Sequence, residues 1–206
     1  MIKNIIFDMG GVIVDVHLHR SIEKFKALGV KDAGEFIDAS NHKGIFFDFE
    51  NGNIDTGQFC EMLSKHVGKT LPRAEIEDAW KSMIAPPLEY KMDYIRELRN
   101  KYKLYMLTNN NPVIMGWARS TGFTPSGDSL SGYFDKIYAS YEMKCTKPDL
   151  KIFRMMVEDS GVKPEESLYI DDNEHNLVPA RELGMKTLLV ENASDWRSLL
   201  DKISVG

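Results

Sequence analysis

Five short, mostly apolar runs along the chain predict the strands of a sheet. They cover residues 3–8, 103–108, 136–140, 167–171 and 186–190. Runs of this kind, bounded by polar residues and glycines, are typical of buried strands. Segments with helical periodicity flank the last four runs, at about residues 88–100, 111–120, 149–160, 175–184 and 194–203. This alternation predicts an α/β protein with a mostly parallel sheet covered by helices on both faces.

The stretch between residues 16 and 85 interrupts the alternation, because it carries helical patterns without a convincing strand. Apolar side chains recur at helical spacing in residues 59–66 and again in residues 76–83. The stretch ends in Ala85-Pro86-Pro87, a stiff connector that cannot continue a helix. We therefore expect an all-helical cap that is inserted after the first strand and rests over its carboxyl end. The predicted division is a core of residues 1–15 and 86–206 and a cap of residues 16–85.

Composition and charge narrow the classes of protein to which the chain can belong. Of its 206 residues, 43% are hydrophobic and 28% are charged, which is enough apolar material for a buried core. The net charge of -5 argues against binding to nucleic acid or to an anionic membrane surface. Cys60 and Cys145 form neither a disulfide framework nor a metal-binding pattern. No signal sequence or membrane-spanning stretch is apparent, so we expect a cytoplasmic protein without membrane or nucleic-acid partners.

Polar residues follow three of the predicted strands directly, at the edge where open parallel sheets bind their ligands. They are Asp8 after the first strand, Thr108 and Asn109 after the second, and Asp171-Asp172 after the fourth. Lys147 lies in a polar loop between the second group and the third. An acid, a hydroxyl, a lysine and an acid pair in this order indicate a site for phosphate and a metal ion.

Four short motifs in this order carry a resemblance to a known family. They are residues 7–12 (Phe-Asp-Met-Gly-Gly-Val), 107–109 (Leu-Thr-Asn), 147–148 (Lys-Pro) and 170–172 (Ile-Asp-Asp), the last followed by Asn176. The chain resembles the haloacid dehalogenase (HAD) superfamily, in the form with a helical cap inserted after the first motif. Residues 8–15 and 171–176 are most similar to one branch, which includes bacterial sugar-1-phosphate phosphatases and the N-terminal phosphatase domain of soluble epoxide hydrolases. The resemblance implies a Rossmann-like core and a hydrolase.

The chemistry of the residues agrees with that implication. Asp8 can attack phosphorus and carry an aspartyl-phosphate, which divides one difficult hydrolysis into two steps. Because one anion attacks another, a magnesium ion and Lys147 are needed to neutralise the transferring group. Thr108 and the Asn109 amide can hold phosphate oxygens. Asp171 would orient Lys147 or the waters on the metal.

Magnesium prefers hard oxygen ligands and keeps several waters, so the protein need supply only a few. Asp8 and Asp172 can provide two of them. The family resemblance assigns a third to the backbone carbonyl of Gly10, which is independent of the side chain. The same resemblance places Gly10 and Gly11 at the phosphate.

Each of these residues alone has a simpler structural explanation. An aspartate after a strand is usually a turn former, and Thr108-Asn109-Asn110 ahead of Pro112 is an ordinary helix start. The occurrence of all four motifs together favours the catalytic interpretation.

Gly10 is the unusual position, because most phosphatases of this superfamily carry a second aspartate there. That aspartate protonates the leaving alcohol and later activates water, and glycine can do neither. The sugar-1-phosphate branch also has glycine at this position, so its presence is compatible with activity. Asp15, His17 and Glu50 are candidate substitutes for the missing acid, and the sequence favours none of them.

The hypothesis we prefer is a magnesium-dependent phosphatase of a small phosphorylated metabolite, with hexose 1-phosphates first among the candidates. Residues 42–52 mix aromatic and polar side chains and resemble the cap stretch that faces the site in this branch, although they suit helix packing equally well. One alternative is a 2-haloacid dehalogenase, which needs no metal and would have no use for the pair Asp171-Asp172. The other is a catalytically impaired binding protein, which would have no reason to keep all the site residues. The sequence indicates no particular oligomeric state.

Overall fold

The fold was determined as a computed structural model that describes residues 1–37 and 43–204. The strands are β1 (Asn4–Phe7), β2 (Lys103–Thr108), β3 (Lys136–Ala139), β4 (Ser167–Asp171) and β5 (Lys186–Leu189). The helices are α1 (Leu18–Ala27), α2 (Ala33–Phe36), α3 (Gly44–Glu50), α4 (Thr56–Val67), α5 (Arg73–Lys81), α6 (Glu89–Leu98), α7 (Pro112–Ala118), α8 (Ser140–Met143), α9 (Leu150–Ser160), α10 (Glu174–Glu182) and α11 (Arg197–Ser204).

The five strands form one parallel sheet in the order β3-β2-β1-β4-β5, with β1 at its centre. Phe7, the last residue of β1, is in register with Met106 of β2 and Ile170 of β4. Each strand begins and ends within one residue of its predicted limits. The predicted fold class, a Rossmann-like parallel sheet flanked by helices with an inserted helical segment, is therefore confirmed.

Both faces of the sheet are buried at its centre, as continuous apolar strands require, whereas the edge strand β5 is partly exposed. Ile5 and Phe7 of β1 belong to one apolar cluster, whereas Ile6 between them belongs to a second cluster on the opposite face. All three side chains are fully buried. Because successive strand residues point to opposite faces, β1 must be apolar throughout and can carry its polar group only where it ends.

The segment that interrupts the alternation folds into α1 to α5. Local signals set its helix ends: Asp55 and Gln58 form a reciprocal capping box at the start of α4, and Gly68 ends that helix in a left-handed conformation. The two ends of the segment run side by side. The backbone N–H of His17 donates to the Met83 carbonyl (2.7 Å), and that of Ala85 donates to the Asp15 carbonyl (3.0 Å). The division into core and cap at residues 16–85 stays a prediction, with which this pairing agrees.

A cluster of aromatic rings holds these helices together. Its members are Phe25, Phe46, Phe49, Phe59 and Trp80, all of them buried. Phe49 and Phe59 stack with their ring centroids 4.5 Å apart, and Phe25 meets Phe46 edge to face at 5.0 Å. Aromatic pairs in these geometries stabilise a fold beyond the area that they bury. The helical segment thus has apolar packing of its own, beside that of the sheet.

A close contact joins the end of α3 to the segment after β3. Gly52 has a φ of +69°, and a Cβ atom there would lie 2.0 Å from the carbonyl oxygen of Tyr141. The Ser140 hydroxyl donates to the Glu50 carbonyl (2.6 Å), and the Lys144 ammonium donates to the Gly52 carbonyl. Only glycine fits at position 52, because any side chain would force the two backbones apart.

No helix in the described ranges, 1–37 and 43–204, has both the length and the apolar character needed to cross a membrane.

Gly52→Ala should destabilise the fold more than a substitution at a free helix end. Gly68→Ala is the matched control, because Gly68 also has a positive φ (+77°) but a Cβ atom there would have no neighbour within 4 Å. We expect Gly68→Ala to lower the free energy of unfolding by about 1 kcal/mol and Gly52→Ala to lower it by at least about 2 kcal/mol. Urea unfolding of both variants measures the difference. Equal losses would contradict the close contact with Tyr141.

Candidate active site

Asp8 lies at the carboxyl end of the central strand, at the bottom of the site. Its backbone N–H continues the β1–β4 ladder by donating to the Ile170 carbonyl (2.8 Å). Its Oδ1 accepts from the Met9 backbone N–H (2.7 Å). The residue is 8% exposed, so its carboxylate is almost removed from bulk water while still facing the cavity described below.

Lys147 reaches the same point from the loop between α8 and α9. Its Nζ lies 3.1 Å from Asp8 Oδ1 and 2.7 Å from Asp171 Oδ2. Burial alone lowers the pKa of this ammonium, but the charges of Asp171 and Asp8 outweigh that effect, and the pKa is raised overall. The lysine therefore stays protonated although its side chain is only 1% exposed.

Asn109 positions the lysine from the end of β2. Its side-chain oxygen accepts from the Lys147 backbone N–H (2.8 Å), and its side-chain NH2 donates to the Lys147 carbonyl (2.9 Å). The sequence prediction gives the Asn109 amide a role at the phosphate. These two bonds engage the side-chain amide and leave the backbone N–H of Asn109 available for that role.

Asp171, at the end of β4, is fully buried and surrounded by donors. Asn176 donates from its side-chain NH2 to both carboxylate oxygens (3.0 and 3.2 Å), and the Asn173 backbone N–H donates to Oδ1 (2.8 Å). The Tyr169 hydroxyl donates to Oδ2 and accepts from Lys147 Nζ (2.9 Å). These contacts suit a group that fixes the lysine.

Tyr169 is a site residue that the sequence reasoning missed. The hydrophobic pattern identifies it only as part of an apolar strand, although its position two residues before Asp171 places both side chains on the same face of β4. That period-two spacing is the signal that could have found it. Asn176 belongs to the fourth motif without a predicted role, and the structure brings it to the Asp171 carboxylate.

Three acids form a group with metal-binding geometry. Carboxylate oxygens of Asp8, Asp171 and Asp172 lie within 4.8 Å of one another. Burial is the main cause that raises the pKa of Asp8 to about 7. The charge of Lys147 lowers this pKa, and repulsion from Asp171 and Asp172 raises it further. Burial and repulsion from Asp171 also raise the pKa of Asp172. The site thus holds more negative charge than Lys147 compensates, and a hard divalent cation fits such a donor set.

The turn after β1 makes room for this acid group. Gly11 has a φ of +72°, and a Cβ atom there would lie 2.0 Å from Asp172 Oδ2. Its N–H donates to the Val14 carbonyl (2.8 Å), and the Val14 N–H returns to the Met9 carbonyl (3.1 Å). Neither of these bonds uses the Gly10 carbonyl. Glycine at position 11 therefore lets Asp172 approach the turn. The sequence resemblance predicts a role for Gly11 at the phosphate and does not predict this one.

A cavity of about 770 Å³ opens above these residues. From the sheet side it is lined by Asp8, Gly10, Thr108, Asn109, Lys147 and Asp172. From the helical segment it is lined by Phe36, Ile37, Phe46, Phe47, Glu50 and Trp80, among others. Most of the sequence-predicted residues thus line one cavity with aromatic walls, whereas Gly11 and Asp171 are not among its lining residues. Of the stretch 42–52, His42 lies outside the described residues.

The structure separates the three candidate substitutes for the acid missing at Gly10. Asp15 faces the buried ammonium of Lys91, with Oδ1 and Nζ 3.8 Å apart. The His17 ring packs against that of His19, with centroids 6.0 Å apart. Among the described residues that line the cavity, Glu50 appears, and Asp15 and His17 do not.

Comparison with known proteins shows the family of the chain. Residues 2–184 match the family model for haloacid dehalogenase-like hydrolases. A D-ribitol-5-phosphate phosphatase of Bacteroides thetaiotaomicron is 40% identical, with 98% of each chain covered. A predicted HAD-like family hydrolase from Porphyromonas gingivalis is 40% identical in structure-based comparison, with a TM-score of 0.96 over 100% of this chain and 99% of that one.

A second similar structure is of an enzyme with ligands bound. It is a HAD family enzyme from Bacteroides thetaiotaomicron in complex with magnesium and inorganic phosphate. That chain is 36% identical, with a TM-score of 0.90 over 97% of this chain and 99% of its own. With the family model matched over most of the chain and relatives similar over nearly all of it, the protein belongs to the haloacid dehalogenase-like hydrolases.

Proposed function

We propose that this protein is a magnesium-dependent phosphatase that hydrolyses a small phosphomonoester through an aspartyl-phosphate on Asp8. The observation that carries the proposal is the buried Asp8 carboxylate at the floor of the cavity, 3.1 Å from the Lys147 ammonium. A nucleophile beside a fixed positive charge is what attack on an anionic phosphoryl group requires.

The residues around Asp8 have different roles in the reaction that we propose. Lys147 neutralises charge on the phosphoryl oxygens, and Asp171 with Tyr169 keeps its ammonium in place. Thr108, almost fully buried at the end of β2, lines the cavity where its hydroxyl can hold a phosphate oxygen. Gly10 and the Asn109 backbone N–H complete the phosphate-binding set that we propose. Gly11, whose own N–H donates to the Val14 carbonyl, contributes by leaving room for Asp172.

Asp8, Asp172 and the Gly10 carbonyl are the groups that would hold magnesium. The acid group supports this choice by its geometry, and so does the magnesium and phosphate complex of the similar Bacteroides enzyme. When bound, the ion draws charge from the phosphoryl group and offsets the repulsion between it and the nucleophile. Asp171 has its oxygens occupied by other donors and serves to position Lys147.

The metal acids also favour this function over the two alternatives. Attack on carbon by a dehalogenase needs no metal, yet Asp172 is held beside Asp8 by a turn that only Gly11 permits. A binding protein would not need the Lys147 ammonium to be buried against the nucleophile.

The substrate we propose is a phosphorylated sugar or sugar alcohol. A cavity of about 770 Å³ has the size of sites for small metabolites, and its aromatic walls suit the carbon faces of such molecules. Hexose 1-phosphates stay our sequence-based preference. Similarity to a D-ribitol-5-phosphate phosphatase supports sugar-alcohol phosphates as equally good candidates.

Phosphate release from p-nitrophenyl phosphate and a panel of sugar and sugar-alcohol phosphates tests the proposal. We expect release with magnesium and none with EDTA. Asp8→Asn should lower kcat by at least about 10³-fold, because an amide is a poor nucleophile and removes a charge from the metal site. Asp159→Asn, at an exposed position on α9, should behave as the wild type. Undiminished turnover in Asp8→Asn would refute the aspartyl-phosphate mechanism.

Gly11→Ala should weaken magnesium binding although it replaces none of the proposed ligand side chains. The new methyl group would have to displace the Asp172 carboxylate, because a Cβ atom at position 11 would lie only 2.0 Å from its Oδ2. We expect at least about a tenfold loss of affinity in a calorimetric titration with magnesium, since perturbing the surroundings of a ligand typically costs about 10–100-fold. Gly161→Ala is the control, because Gly161 also has a positive φ (+68°) but no close neighbour. Equal affinities in the two variants would contradict the proposed role of Asp172.

A further inference from the structure

The proposed reaction needs a proton donor that the turn after β1 does not provide. When the bond between phosphorus and an alkyl oxygen breaks, the departing alkoxide needs a proton, and a positioned acid commonly accelerates this step by about 10²–10⁴-fold. Gly10 has no side chain to supply it. The donor must therefore come from another group that reaches the cavity.

Few groups that line the cavity in the described part of the chain can serve. Asp8 and Asp172 are committed to the nucleophile and the metal. Glu174 is exposed and pairs with Arg181 (2.5 Å), which lowers the pKa of its carboxyl and keeps it ionised. His175 is exposed at the start of α10. Glu50 is the acidic residue that the helical segment contributes to the lining of the cavity.

The Glu50 carboxyl is unlike the other acids of the site. The hydrogen bonds and ion pairs found among residues 1–37 and 43–204 include none to its carboxylate oxygens. Burial raises the pKa of this carboxyl to about 7. A carboxyl that is poorly hydrated and open to the cavity can both give and take a proton near neutral pH.

The backbone of Glu50 is fixed relative to the phosphate-binding residues. The Ser140 hydroxyl donates to the Glu50 carbonyl (2.6 Å) and accepts from the Asn110 backbone N–H (2.9 Å). Asn110 lies two residues after Thr108 on the same segment. Gly52, two residues after Glu50, is held against Tyr141 by backbone contact. One side chain, Ser140, therefore links the end of α3 to the loop that follows β2.

We propose that Glu50 replaces the acid missing at position 10, an inference that rests on the proposed function. Asp8 attacks phosphorus, the bond to the leaving oxygen breaks with its electron pair, and that oxygen takes the Glu50 proton and departs as the alcohol. A water then attacks the phosphorus of the aspartyl-phosphate and gives a proton to the Glu50 carboxylate. The bond between phosphorus and Asp8 breaks, the electron pair returns to the Asp8 carboxylate, and inorganic phosphate leaves.

Glu50→Gln tests the inference, because it keeps the shape of the side chain and removes its acid. The substrates are p-nitrophenyl phosphate, whose oxygen leaves unprotonated, ribitol 5-phosphate, and butyl phosphate, which has an alkyl leaving group without hydroxyls. We expect kcat/KM to fall by about 10²-fold or more on both alkyl phosphates and by less than about threefold on the aryl phosphate. The matched control is Glu61→Gln, at an exposed position on α4, which should resemble the wild type. Thermal melting verifies that both variants are folded.

A second-site variant gives an independent result. Gly10→Asp combined with Glu50→Gln should restore at least about tenfold of the lost alkyl-phosphatase activity, since an acid then stands at position 10. The Cβ of that aspartate would lie 3.1 Å from a Val16 methyl group, which a small shift of the valine side chain accommodates. A folded double variant that cleaves the aryl phosphate but regains no alkyl-phosphatase activity would overturn the inference.

Other outcomes would also overturn it. Equal losses on all three substrates would show a structural role, and a loss on ribitol 5-phosphate alone would show that Glu50 binds a hydroxyl. The inference would also be wrong if His175→Gln, and not Glu50→Gln, lost activity on the alkyl phosphates alone. It would be wrong as well if the wild type cleaved only the aryl phosphate. Failure of the proposed function is distinguishable, since the wild type would then release phosphate from none of the substrates.

Discussion

The buried ion group of Lys147 with Asp8 and Asp171 is the interaction on which the site depends. The side chains are 1%, 12% and 0% exposed, so each charge has lost most of its hydration. A buried charge without a partner costs several kcal/mol, whereas a well-placed opposite charge offsets that cost. The sheet register supplies the placement of both acids, and Asn109 supplies that of the lysine. The same arrangement that keeps the lysine charged also leaves it beside Asp8, the nucleophile that we propose.

The strands and the main site residues could be predicted from the sequence for one physical reason. Parallel strands end at a common edge, so the polar residue that terminates each apolar run is brought there whatever the loops do. Asp8, Thr108 and Asp171 follow this rule. The hydrogen bonds of Asn109 could not be predicted from local patterns, because its side chain binds the backbone of Lys147, a residue 38 positions away in the chain. The requirement for glycine at position 11 likewise becomes visible only once Asp172 is placed.

The helical segment and the sheet are stabilised differently, and this bears on where substrate specificity resides. The sheet places charged groups by its hydrogen-bond register, whereas the segment packs through aromatic rings and presents Phe47 and Glu50 to the cavity. In the reaction that we propose, the residues that handle phosphate therefore come from the sheet side, and those that face the rest of the substrate come largely from the segment. The contact between Gly52 and Tyr141 keeps these two sets at a defined separation.

The paired ends of the segment also have a consequence for descent within the family. In the predicted division the chain leaves the core after Asp15 and returns to it after Ala85, and a backbone hydrogen bond joins these two residues. Because the two ends of the insertion lie side by side, its length and internal structure can change without moving the strands of the sheet. Gene segments that encode such insertions can be lengthened, shortened or exchanged while the catalytic edge is inherited intact. The helical segment can then change with the substrate while the residues at the edge of the sheet stay the same.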